Sequence, residues 1–276
     1  MSVPSPLSGL KIGIIGAGNM GQALARGLAE KSVYPQNLSV FDIHSEKLQA
    51  LKKECRIKPA KSARQCVSLS DVVILAVKPH LLEEVIREMA GAVEKDALVI
   101  SVAAGVTLAR IESFFKKPVP LVRVMPNMPA LLGAGMSAFS LGRRASAKHR
   151  KIAEAILGGL GEKVEVPERM LDLVTAVSGS GPAYFFLLAE KLIEAAYQMG
   201  MKAAVAKKLV YQTAFGSGKV MTSSDEDPDV LIGRVVSKGG TTEAALRVFQ
   251  KEGLGKVVQN AVKAAYKRSK EISEGA

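Results

Sequence analysis

The segment that most constrains this chain is Gly16-Ala17-Gly18-Asn19-Met20-Gly21, which follows directly on the apolar run Lys11-Ile12-Gly13-Ile14-Ile15 and opens a helical pattern at Gln22-Ala23-Leu24. Glycines in a G-x-G-x-x-G spacing between a strand and a helix have separate tasks. Gly16 allows the tight turn, Gly18 lets the backbone approach a pyrophosphate, and Gly21 lets the helix pack closely on the strand. The amides at the start of that helix, around Asn19 and Met20, then form an anion seat. A second strand, Leu38-Ser39-Val40-Phe41, ends in Asp42, near the usual spacing of ~20 residues for an acid that bonds the adenosine ribose. These features predict a dinucleotide site. Asp42 followed by Ile43 favours NADH, because a carboxylate repels a 2′-phosphate, while His44, Ser45 and Lys47 could still accept one.

Short β-rich apolar runs alternate with helix-length amphipathic segments through the first half, which is the pattern of a parallel sheet with crossover helices. Strands are expected near 10–15, 38–42, 72–77, 97–102 and 120–124, with a further one near 134–140. Helices fit near 19–31, 45–53, 80–92 and 107–115. From about residue 165 the chain turns Ala-, Leu- and Lys-rich, with helical periodicity near 168–178, 182–199, 203–222, 241–251 and 254–272. The expected fold is α/β: an N-terminal doubly wound, Rossmann-type domain over 1–167, followed by an all-helical domain over 168–276. The run Phe185-Phe186-Leu187-Leu188 exceeds what a small bundle hides, so a dimer interface is expected.

Open α/β sheets bind ligands beyond the carboxyl ends of their strands. Two such ends are Ala76-Val77-Lys78-Pro79 and Ser101-Val102-Ala103-Ala104-Gly105. The small side chains of Ala76, Ala103 and Ala104 leave room for the nicotinamide ribose, and Val77 is expected with them among the cofactor-binding residues. Lys78 either bonds a ribose hydroxyl or is a solvated lysine ahead of a proline. Asn127, in Met125-Pro126-Asn127-Met128-Pro129, either bonds the nicotinamide side of the cofactor or caps a turn. In the helical half, Ser237-Lys238-Gly239-Gly240-Thr241-Thr242-Glu243 interrupts the helical pattern and opens a new helix. Its Gly239 and Gly240 amides could hold a substrate carboxylate, with Thr241 or Thr242 offering a hydroxyl; the alternative is a plain interhelical turn with threonine capping.

Composition narrows the remaining classes. A net charge of +12 comes from 38 basic and 26 acidic residues dispersed along the chain, as expected of solvated helix faces, with attraction of anionic small molecules as the functional reading. Nucleic acid is not an expected partner, since only 5% of residues are aromatic and none interleave with basic clusters. No run of about 18 uninterrupted apolar residues occurs, so no membrane helix is expected. The N-terminus lacks signal-peptide character, which leads to a cytoplasmic expectation. Cys55 and Cys66 have no metal-site or disulfide pattern and read as reduced, inert thiols; no metal site is expected.

Over essentially its full length the chain resembles pyrroline-5-carboxylate reductases. The likeness rests on the Gly16–Gly21 turn, Ala76-Val77-Lys78-Pro79-His80, Ala103-Ala104-Gly105-Val106-Thr107, Ser178-Gly179-Ser180-Gly181-Pro182-Ala183-Tyr184, and above all residues 228–250 around Gly239-Gly240-Thr241-Thr242. It departs from the family pattern at Val236 and Lys238. The resemblance implies reduction of 1-pyrroline-5-carboxylate to proline, the last step of proline biosynthesis, by hydride from NAD(P)H, with a family leaning to NADPH. It also implies a dimer through interleaved helical domains, often assembled into a larger ring. The site would place nicotinamide near Ala103 and Asn127, and substrate on the Ser237–Thr242 loop of the partner subunit. An already protonated cyclic imine becomes a neutral amine on taking hydride, so little acid chemistry is needed, and Thr242 is expected to bond the ring nitrogen. Rivals are a reductase of another cyclic imine or of a β-hydroxyacid, the latter of which would place a lysine one turn after Gly181 where none occurs before Lys191, a silent NAD(P)-binding regulator, and, resting on net charge alone, a nucleic-acid binder.

Overall fold

The computed structural model describes residues 5–274 apart from 32, 34 and 69. The chain forms two compact units, Met1–Ser180 with Ala265–Ala276, and Gly181–Ala264. The first unit carries one eight-stranded sheet. Its strands are β1 (Ile12–Ile15), β2 (Leu38–Phe41), β3 (Lys58–Pro59), β4 (Val72–Leu75), β5 (Leu98–Ser101), β6 (Leu121–Met125), β7 (Gly135–Leu141) and β8 (Gly161–Glu165). They lie in the order β3-β2-β1-β4-β5-β6-β7-β8. Every pairing is parallel except that of β6 with β7. The order reverses direction between β1 and β4, and such a switch point leaves a crevice at the carboxyl ends of the strands.

Helices cover both faces, which is why β1, β4 and β5 are buried at every position and almost wholly apolar. On one face α1 (Asn19–Lys31) and α6 (Ala147–Leu157) enclose Ile12, Ile14, Ile74, Ile100 and Phe139. On the other, α3 (Ala63–Val67), α4 (Leu82–Met89) and α5 (Leu108–Ser113) enclose Ile15, Val73, Leu75, Val99 and Leu121. Alternate residues of one strand thus serve two separate cores. Cys55, at the end of α2 (Ser45–Cys55), and Cys66 are both free and buried, and burial pushes the Cys66 thiol up to about 11.

The predicted strands and helices of the first half are all present, with shifted ends. Four elements of this unit carried no recognisable signal. β3 is a two-residue edge pairing, α3 is five residues long, and β8 reads Gly-Glu-Lys-Val-Glu, a charged edge strand with little apolar alternation. α6 starts at Ser146 with histidine rather than glutamate three residues on: His149 Nδ1 accepts the Ser146 N–H at 3.0 Å. In the second unit α10 (Pro228–Val235) was likewise not expected.

Residues 168–180, placed with the helical half by the sequence pattern, belong to the sheet unit. They form a 3-10 turn at Glu168–Met170, α7 (Leu171–Val174) and a π-helical turn at Thr175–Gly179. Leu171 and Ala176 are buried there. The helical unit comprises α8 (Gly181–Gln198), α9 (Ala203–Thr222), α10, α11 (Thr241–Lys251) and the first part of α12 (Leu254–Glu274). It buries almost no large side chain. Ala206 is 1% exposed, whereas Phe185 is 65% exposed and Phe186, Leu187, Leu188, Leu209 and Phe215 are all open. The helical run Glu168–Gln198 is long and apolar enough, by length and composition alone, to cross a membrane; one such helix does not make a membrane protein.

Candidate active site

The turn after β1 is built by close approach. Gly16 sits at φ 101° and donates its N–H to Phe41 O at 2.8 Å, while a Cβ at Gly21 would collide with the Gly16 carbonyl. Only glycine meets both demands. Among the described residues the amides of Gly18, Asn19 and Met20 have no acceptor, and a Cβ at Gly18 would meet nothing within 4 Å. Open amides beside open space at the start of a 13-residue helix suit a pyrophosphate.

Asp42 has a second function that the motif does not announce. Its Oδ2 accepts the Ala17 N–H at 2.6 Å and its Oδ1 accepts the His44 N–H at 2.8 Å. The carboxylate therefore ties the glycine turn to the end of β2, and each oxygen retains a lone pair for a ribose hydroxyl. Ile43 beside it is 80% exposed.

Across the switch point, Ala76 donates to Ile15 O at 2.8 Å, so the chain beyond β4 continues alongside the turn. Gly16 packs against the Ala76 carbonyl and Val77. Lys78 is exposed in extended backbone ahead of the 3-10 turn Pro79–Leu81, and no carboxylate pairs with it among the described residues. Ala103 is buried at the end of β5. The first unit thus gathers all the expected dinucleotide residues except one along the carboxyl ends of β1, β2, β4 and β5.

Asn127 is the exception. Its Nδ2 donates to Ser178 O at 3.2 Å and to Ser178 Oγ at 3.3 Å, and its Oδ1 accepts the Met136 N–H at 2.9 Å. The side chain is spent on protein, and it makes no cap bond to the 3-10 turn Met128–Leu132 that follows it. The π-helical turn explains the partner: Ser180 N–H bonds Thr175 O five residues back, and Ser178 O meets a side chain from outside the helix. These bonds tie the loop after β6 to Ser178 and Met136.

In the helical unit, Gly239 lies at φ 73° and Gly240 is the N-cap residue of α11. The two glycine amides expected to hold an anion are engaged within the loop. Gly239 N–H donates to Glu243 Oε2 at 2.6 Å, and Gly240 N–H donates to Ser237 O at 2.9 Å. Among the described residues the amides of Ser237 and Lys238 earlier in the loop, and of Thr241, Thr242 and Glu243 in the first turn of α11, have no acceptor. Thr242 is half-buried, and its hydroxyl has no partner among the described residues. Glu243 folds back to close the loop on Gly239, so the glycine amides are engaged and open amides lie at the helix start. Lys191, on α8, is exposed and paired with Glu194 at 3.0 Å, as expected of a surface ion pair.

Sequence reasoning missed one cluster. Arg123, 4% exposed in β6, pairs with Glu168 at 3.1 Å. The signal was an arginine inside the otherwise apolar strand Leu-Val-Arg-Val-Met. Among the described residues no group of three or more His, Cys, Asp or Glu gathers to hold a metal ion.

Comparison with known proteins decides the family. Residues 168–272 match the family described as pyrroline-5-carboxylate reductase dimerisation, and residues 11–105 match NADP oxidoreductase, coenzyme F420-dependent. A pyrroline-5-carboxylate reductase of Synechocystis sp. is 38% identical over 266 residues, covering 96% of this chain and 99% of its own. The chain belongs to the pyrroline-5-carboxylate reductase family. Two solved family members are similar throughout. The enzyme from Coxiella burnetii has a TM-score of 0.91 at 34% identity, covering 96% of this chain and 98% of its own. The Plasmodium falciparum pyrroline carboxylate reductase, solved with NADP bound, has a TM-score of 0.84 at 30% identity and the same coverage. As in that family, the chain joins a Rossmann-type sheet to a helical region matched by the dimerisation model.

Proposed function

We propose that the protein reduces the C=N bond of 1-pyrroline-5-carboxylate to L-proline with hydride from NADPH or NADH, the last step of proline biosynthesis. The observation that carries this reading is the coexistence, in one member of the family, of the open Gly18–Met20 amides and the Gly239–Thr242 loop with its free first-turn amides. When bound, the reduced nicotinamide supplies the hydride. The chain's part is to bind and orient.

In this reading the amides of Gly18, Asn19 and Met20 hold the pyrophosphate, Gly16 and Gly21 shape the turn, and Asp42 meets the adenosine ribose. Ala76, Val77 and Lys78, with Ala103, line the remainder of the dinucleotide, and Asn127 fixes the neighbouring loop. The Ser237–Thr242 loop, supplied by the partner subunit, receives the substrate carboxylate on the amides of Thr241 and Thr242, while the Thr242 hydroxyl bonds the ring nitrogen. Ser237, Gly239 and Gly240 set the loop's shape. Orientation then supplies most of the catalysis, since a protonated imine needs no added acid to accept hydride.

The sheet unit, ending at Ser180 and completed by the last turns of α12, is the dinucleotide-binding part, and Gly181–Ala264 the substrate-binding and dimerisation part. The exposed Phe185, Phe186 and Leu187 faces support self-association, with a larger ring of dimers as the fuller assembly. That use of the apolar α8 face, in place of a membrane, agrees with a cytoplasmic enzyme that binds no nucleic acid.

The test is loss of reduced-nicotinamide absorbance with NADPH and with NADH, each with and without 1-pyrroline-5-carboxylate. Imine-dependent oxidation supports the reading. Binding of dinucleotide without any turnover overturns the substrate assignment.

A further inference from the structure

The loop after β5, Val102–Thr107, is held from two directions by groups outside the dinucleotide motif. Gly105, at its centre, has φ 74° and is covered by the end of α12: a Cβ there would lie 2.5 Å from Ile272 Cγ2. The far end of the loop is fixed through Glu168, whose Oε1 accepts the Leu108 N–H at 2.6 Å and also takes Arg123 Nη1 at 3.1 Å. Arg123 Nη2 lies 3.9 Å from Asp172 Oδ1. Asp172 in turn accepts Ser269 Oγ at 2.9 Å and Ser273 Oγ at 3.3 Å. Ser269 is 5% exposed and belongs, with Ile272 and Ser273, to the last two turns of α12.

One guanidinium here faces two carboxylates. The Asp172 charge is therefore offset partly by hydroxyl donors from α12. A buried ion pair is a poor way to gain stability, because apolar packing of equal volume usually serves as well. What it does provide is direction: the fork of Arg123 and the two oxygens of Glu168 and Asp172 can be satisfied in one register of β6, the 168–172 segment and the start of α5. α12 sets that register from one side and presses on Gly105 from the other.

We propose that the C-terminal turns of α12 position the loop after β5 against the nicotinamide end of the dinucleotide, with Ser269 and Ile272 as positioning residues acting through Asp172 and Gly105. This rests on the reading of Ala103 as part of the nicotinamide side. Neither residue touches the reacting atoms. Each governs how firmly the backbone beside them is held.

The test compares a whole dinucleotide with a fragment that lacks its nicotinamide end. Affinities for NADP+ and NAD+, and for the fragments 2′,5′-ADP and ADP-ribose, are measured by titration on the intact protein and on Ser269→Ala, Ser269→Thr and Ile272→Ala. The expected result is a 3- to 10-fold loss of dinucleotide affinity in the two alanine variants, with fragment affinity unchanged and Ser269→Thr restoring the wild-type value. In turnover the KM for dinucleotide rises while that for the imine holds. Equal weakening of dinucleotide and fragment, or no weakening of either, overturns the proposal. If the unaltered protein binds the fragments but gains nothing from the nicotinamide half, the reading of the β5 loop itself fails.

Discussion

Glu243 closes the loop on which the substrate is proposed to sit: its Oε2 accepts the Gly239 N–H at 2.6 Å, and its Oε1 holds the Arg247 guanidinium at 2.9 Å. The capping glutamate three residues into a helix ordinarily reaches the N-cap amide. Here it reaches one residue further, to a glycine in left-handed backbone, and so fixes the turn that leaves the Thr241 and Thr242 amides free. Glu243→Ala is expected to raise the KM for 1-pyrroline-5-carboxylate by about 5- to 10-fold, with the KM for dinucleotide unchanged. Glu243→Gln keeps an acceptor for Gly239 and stays within about 2- to 3-fold of wild type. Steady-state kinetics with each substrate varied in turn checks both, and parallel rises in the two KM values would remove Glu243 from the loop's control.

Thr242 has an unengaged hydroxyl at the second position of α11. Thr242→Val preserves shape and removes the hydroxyl, and kcat/KM for the imine should fall by ~10-fold or more if that hydrogen bond strengthens in the transition state. An unaltered kcat/KM would exclude it from the chemistry.

Asp42 separates charge from architecture. Asp42→Asn keeps one oxygen, enough for the Ala17 N–H but not also for the His44 N–H, and loses the negative charge, so the ratio of kcat/KM for NADPH to that for NADH should rise about 10-fold. Asp42→Ala frees the glycine turn as well, and should weaken both cofactors by a similar order. A ratio that does not move in Asp42→Asn would mean that the adenosine ribose is read elsewhere.

His149 links acid sensitivity to α6. Burial lowers its pKa, Lys148 lowers it further, and Asp96 opposes both. Its Nδ1 must stay unprotonated to accept the Ser146 N–H. With the folded-state value below the ordinary 6.5, the unfolded chain takes up this proton first as pH falls. The stabilising contribution is complete above the ordinary value and is lost as pH drops through it towards the folded value. Thermal denaturation from roughly pH 7.5 to 5 should show a smaller decline in His149→Gln, which keeps an acceptor without the titration. An identical decline in both proteins would place the acid sensitivity elsewhere.

Much of this protein is written locally. The β1-turn-α1 unit follows from glycines whose spacing admits one close packing of helix on strand, and the opening of α11 follows from Gly239, Gly240 and a glutamate three residues into the helix. Periodicity of two or of 3.6 was enough to find the six apolar strands and most of the helices, because the burial of one face leaves a repeating mark on the chain. Tertiary structure decided what has no repeat. β8 is a strand because β7 offers it an edge, although its own residues are charged. Asn127 spends its amide on Ser178 because a π-helical turn 51 residues away presents the partner. Arg123, Glu168, Asp172 and Ser269 become one cluster only when strand, turn and final helix meet. Spacing along the chain encodes backbone geometry; the partner of a polar side chain is set by distance in space, and a single sequence carries no local record of that distance.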